Sequence, residues 1–151
     1  MLARAVAALV LVLALAAAGC GSDGGQGDYA STLNEAQTQL QQRFAQIGKH
    51  ITPTSTPQQD QRSLGQYEQV VDSAVADLRG VHPPDGLDTL HRRFVTELAG
   101  YGTAVRTARQ RLSSDDPRAV LAAQSALSAS LTRSGERLNA TIEAINKKIK
   151  G

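Results

Sequence analysis

From Asp28 to the end of the chain, apolar residues recur at steps of three and four with polar residues between them. That spacing lines one face of an α-helix, and the period-2 alternation and β-branched runs of strands are missing. Leu33, Ala36, Leu40, Phe44, Ile47 and Ile51 form the first stripe, opposite Gln37, Gln39, Gln41, Gln42 and Arg43. They predict a helix from about Tyr29 to His50, with Asp28 or Ser31 able to cap its start. Leu64, Tyr67, Val71, Ala74, Leu78 and Val81 predict a second, from about Pro57 to Gly80. Leu87, Leu90, Phe94, Leu98, Tyr101, Val105, Ala108 and Leu112 predict a third, from about Leu87 to Leu112. Val120, Ala123, Leu127, Leu131, Ser134, Leu138, Ile142, Ile145 and Ile149 predict a fourth, from about Pro117 to Lys148.

The breaks carry their own chemistry. Pro53 and Pro57 forbid a continuous helix between the first two stripes. Thr56, Pro57 and Gln59 have the spacing of an N-cap, a first-turn proline and a capping-box partner. His82-Pro83-Pro84-Asp85-Gly86 is the second break, and Ser113-Ser114-Asp115-Asp116-Pro117 the third, where Asp116 before Pro117 reads as a cap. Gly100 and Gly102 flank Tyr101 inside the third helix. Each costs about 1 kcal/mol against alanine there, which implies a close helix approach or a bend. Short breaks between amphipathic helices predict an all-α fold, an antiparallel up-down four-helix bundle with shallow crossings. The alternative is a three-helix bundle with the glutamine-rich first helix detached.

The first thirty residues follow a different pattern. Arg4 precedes an uncharged apolar run, Ala5 to Ala18, and Gly19-Cys20 leads into a glycine-rich polar stretch. A basic end, a short apolar core and small residues before a cut define a secretory leader. A helix over the 14-residue run would rise about 21 Å, short of a hydrocarbon core of about 30 Å. Ala17-Ala18-Gly19-Cys20 resembles the bacterial lipobox, although Ala17 stands where leucine is commonest. The resemblance implies cleavage between Gly19 and Cys20 and a diacylglyceryl thioether, with palmitate-type acyl chains, on Cys20. An ordinary cut after Ala16-Ala17-Ala18 is the alternative, and it leaves Cys20 a free thiol. Cys20 is the chain's sole cysteine, and an unpaired cysteine in an exported protein calls for a special explanation. The expected organisation is a leader over 1–19, a lipidated cysteine and flexible tether over 20–28, and a helical domain over 29–151.

Charge changes the picture little. With Arg4 removed from 16 basic residues, 15 face 14 acidic ones, so no strong field attracts nucleic acid. Twelve arginines against four lysines, with abundant alanine, resemble the product of a GC-rich genome such as an actinobacterium. One cysteine rules out an internal disulfide, so stability rests on packing.

Candidate chemistry is sparse. Di-metal bundles place Glu-x-x-His pairs on facing helices, but Glu35, Glu68, Glu97, Glu136 and Glu143 lead to Thr38, Val71, Gly100, Asn139 and Asn146. His82 and His91, with Asp88 or Asp85 near, form a candidate set for a metal or small ligand; the alternative is a helix-start histidine packing over the proline loop, and no metal or cofactor is expected. Serines abound without a nucleophile elbow, and no enzymatic activity is expected. Arg106, Arg109 and Arg111 read as a solvated face. The Pro-Pro turn at 83–84, followed by a helix with His91 and Tyr101, resembles small helical lipoproteins of actinobacteria over about residues 64–112. The expected role is a non-catalytic lipoprotein on the extracytoplasmic face of the cell membrane, binding an envelope protein or cell-wall component. The alternative is a small-ligand or metal-binding lipoprotein using His82 and His91.

Overall fold

Local chemistry starts each helix where the chain is punctuated. Thr56 accepts a hydrogen bond from the Gln59 backbone N–H at 3.3 Å, and the Gln59 side-chain oxygen accepts from the Thr56 N–H at 2.7 Å. This closes the expected capping box behind Pro57. Asp116 Oδ1 accepts from the Arg118 N–H at 2.9 Å and caps the last helix. Gly86 takes a φ of 82° in the turn closed by Leu87 N–H and the Pro84 carbonyl at 3.0 Å, a conformation glycine adopts without steric cost.

The computed structural model describes residues 24–52, 54–112, 114 and 116–150. The expected leader, the Gly19–Cys20 junction, the lipidated Cys20 and the tether up to Asp23 lie outside the described residues. Among the described residues there are four helices and no strand: α1 (Gly24–Gly48), α2 (Pro57–Arg79), α3 (Asp88–Arg111) and α4 (Pro117–Lys150). One boundary differs from expectation. α1 begins at Gly24, so Gly24–Gly27 are helical rather than tether, and Asp28 lies inside the helix instead of capping it. Tyr29, only 3% exposed, is the reason: burying it fixes the turn around it, which offsets the poor helix propensity of the glycines. The Asp28 carbonyl accepts the Thr32 hydroxyl at 2.9 Å within that turn.

The helices run antiparallel in sequence order. Along α3, Gly102, Arg106 and Arg109 meet Val71, Glu68 and Gly65 of α2, so numbers rise on one helix as they fall on the other. Glu97 meets Thr141, and Lys148 lies beside Gly86, which sets the same sense for α3 and α4. Extensive packing joins α1 to α2, α2 to α3 and α3 to α4, the first pairing being the thinnest. One apolar core takes side chains from all four helices, including Leu64, Val71, Leu78, Leu98, Val105, Leu127, Leu138 and Ile145. Tyr29, Leu33, Ile47 and Ile51 belong to it, so the first helix is not detached and the three-helix alternative fails. Gly102 is the close approach: a Cβ there would lie 3.1 Å from Val71 Cγ1, whereas one on Gly100 would meet nothing within 4 Å.

Candidate functional site

His91 is 5% exposed and both its ring nitrogens are engaged. Nε2 lies 2.9 Å from the Leu78 carbonyl, which can only accept, so Nε2 carries the proton. Nδ1 then accepts the Tyr29 hydroxyl at 2.9 Å. This chain links α1, α3 and the last turn of α2, where the Leu78 carbonyl also accepts the Val81 N–H at 3.2 Å. The phenol of Tyr29 is pushed up to about 12, first by burial and then by the negative charge of Asp88.

A second tie joins α1 to the middle of the bundle. The Tyr67 hydroxyl donates to the Phe44 carbonyl at 3.0 Å. The Phe44 ring stands edge-on to Tyr67 at 5.0 Å and stacked on Tyr101 at 5.9 Å. Burial raises the Tyr67 phenol to about 12, and raises Tyr101 further, with Tyr67 a lesser cause.

Arg106 and Arg109 stay partly exposed, as their spacing suggested, and are ion-paired as well. Arg106 Nε lies 2.5 Å from Glu68 Oε1, its Nη2 lies 3.1 Å from Asp72 Oδ2, and Arg109 Nη2 lies 3.0 Å from Glu68 Oε2. These pairs bridge α2 and α3. On the other side of α3, Glu97 accepts from Arg93 at 2.9 Å and from the buried Thr141 hydroxyl of α4 at 2.7 Å. Glu68, Glu97 and Thr141 thereby serve helix-to-helix contacts.

Between α1 and α2 the packing opens into a half-open groove of about 450 Å³. Its apolar lining is Ala36, Leu40, Val70, Ala74, Leu78 and Val81. Thr32, Glu35, Gln39, Arg43, Ser73 and Asp77 supply the polar part. The groove exists because Ala36, Ser73 and Ala74 are too small to fill the seam that Tyr29 and Phe44 hold at either end. Its volume lies within the range of about 300–1,000 Å³ common for ligand sites.

The weak metal candidates do not gather. His82 and Asp88 are exposed, while His91 cannot offer a lone pair without releasing Tyr29 or Leu78. Among the described residues no three His, Cys, Asp or Glu side chains stand together as a metal-binding group. Among them, too, no helix is long and apolar enough to cross a membrane. Residue spacing alone did not foresee the His91 link or the groove. The buried Tyr29 at the head of a stripe was the available signal for the first; the run of small residues facing Ala36 was the signal for the second. No protein-family model matches the chain, and no curated protein or solved structure is detectably similar to it.

Proposed function

We propose that this chain is a bacterial lipoprotein, held at the extracytoplasmic face of the cell membrane through acyl chains on Cys20, whose helical domain has a non-catalytic binding role. The reading rests on a lone cysteine standing directly after a short apolar run and three small residues. A single acyl chain binds a membrane only reversibly, whereas two on one residue hold it durably. The domain is then free of any anchoring duty, and the use of His91, Glu68, Glu97 and Thr141 between helices agrees with a scaffold that presents a surface.

The α1–α2 groove is the binding face in this reading, with an envelope polypeptide as the occupant. It is open along its side, and its apolar floor lies between charged edges, as suits side chains of a partner segment. Palmitate labelling in the native cell tests the anchor: wild type incorporates label and Cys20→Ala does not. Photo-crosslinking from Gln39 tests the face. The account expects a discrete adduct from Gln39 and none from Ser125, which is exposed on α4. Equal crosslinking from both positions contradicts it.

A further inference from the structure

We propose that Lys147, Lys148 and Lys150 face the bilayer and engage anionic phospholipid headgroups, so that the bundle stands on the membrane by a chosen end. The proposal rests on the lipid anchor at Cys20. Its own support is topological. In an up-down-up-down bundle the start of α1, the end of α2, the start of α3 and the end of α4 share one end of the molecule. Two contacts show this directly: Tyr29 meets His91, and Lys148 Cε lies 3.5 Å from where a Cβ on Gly86 would stand. Cys20 precedes Gly24 by four residues, which span at most about 14 Å. Acyl chains on Cys20 therefore bring this end to the headgroups.

The three lysines sit within one turn at the C-terminus of α4, all exposed. Among the described residues none has an ion-pair partner. Asp28, Asp77, Asp85, Asp88 and Glu143 stand at or near the same end, but singly and on separate segments, whereas the lysines share one turn. Each lysine near an anionic surface contributes about 1 kcal/mol, and the field decays within a Debye length of about 8–10 Å. The cations at the far end, Lys49, Arg62, Arg111 and Arg118, lie one helix length away. For the 24 residues of α3 that is about 36 Å, well outside the field of an upright bundle. The lysines are already adjacent in sequence; the fold sets their turn at the same end of the bundle as the start of α1.

The test uses the native lipidated protein in vesicles with quencher-bearing lipids. Cys20 is the sole cysteine, so a thioether there leaves a single new cysteine as the only site for a maleimide fluorophore. A label at His82→Cys reports the near end and one at Ser114→Cys the far end. The expected result is strong quenching at residue 82 and little at residue 114 in vesicles containing phosphatidylglycerol. Quenching at 82 should fall about twofold or more in pure phosphatidylcholine, in molar salt, or when Lys147→Gln, Lys148→Gln and Lys150→Gln are combined. Equal quenching at both ends, or quenching at 82 indifferent to lipid charge and to the lysines, overturns the proposal. The second outcome would mean that the lysines only complement the helix macrodipole. Maleimide labelling of the wild type separates the two readings: an inert wild type keeps the anchor whatever the lysines do, and a labelled one removes the anchor and this orientation with it.

Discussion

Replacing Tyr29 by Phe removes one hydroxyl and leaves His91 Nδ1 buried without a donor. A net hydrogen bond is worth about 0.5–1.5 kcal/mol, and an orphaned buried group adds its desolvation cost. We expect Tyr29→Phe to cost about 1–2 kcal/mol and His91→Ala more, since it strands the Tyr29 hydroxyl, removes one of the two donors to the Leu78 carbonyl and leaves a cavity. The two effects should be clearly non-additive in a double-mutant cycle read by urea unfolding. The glycines offer a sharper contrast. Gly100→Ala meets open space and should stabilise by about 0.5–1 kcal/mol through helix propensity. Gly102→Val should destabilise by about 1–3 kcal/mol, because its side chain enters the volume of Val71. At this scale the sequence was half legible. Spacing placed Leu64, Leu98 and Leu127 in the core, and the two glycines pointed to a close approach or a bend. It could not say which glycine made a close approach, nor that His91 reaches Tyr29, because both depend on the distance to another helix.

Helix ends were readable because caps are local. Thr56, Gln59 and Asp116 act through neighbours within three residues, so their roles follow from order along the chain. Thr56→Ala should lower stability by about 1 kcal/mol, with the loss read as a shift in urea midpoint at unchanged slope. α1 was less legible, since its start is set by the burial of Tyr29 rather than by a cap. Its packing is also the thinnest, with Ala36, Leu40 and Phe44 only half-buried. Leu40→Ala should therefore cost no more than about 1.5 kcal/mol, whereas Leu127→Ala, at 2% exposure, should cost about 2–5 kcal/mol. Native-state hydrogen exchange should show α1 opening at lower free energy than α3. Equal protection of the two helices would contradict this ranking.

For the molecule as a whole, three tyrosines make stability sensitive to alkali. Tyr29 and Tyr67 are raised to about 12 and Tyr101 is raised further, all chiefly by burial. The folded chain thus keeps phenolic protons that the unfolded chain releases near pH 10. From pH 10 upward the unfolded state binds fewer protons, so rising pH favours it. Below pH 10 the contribution is intact; between pH 10 and about 12 each tyrosine removes up to about 1.4 kcal/mol per pH unit. Urea midpoints should hold up to pH 10 and fall steeply above it, with phenolate absorbance appearing together with unfolding. The four-helix architecture was open to sequence reading because four stripes and three proline-bearing breaks allow few arrangements. The groove and the common end shared by the start of α1 and the lysines were not, because they arise only when helices distant in sequence stand side by side.

The acyl chains proposed on Cys20 are the central claim, and they can be weighed directly. Intact-mass analysis of the native product should find a chain that begins at Cys20 and carries a diacylglyceryl group with its acyl chains. A product that retains residues 1–19, or that begins nearby with an unmodified thiol, would contradict it.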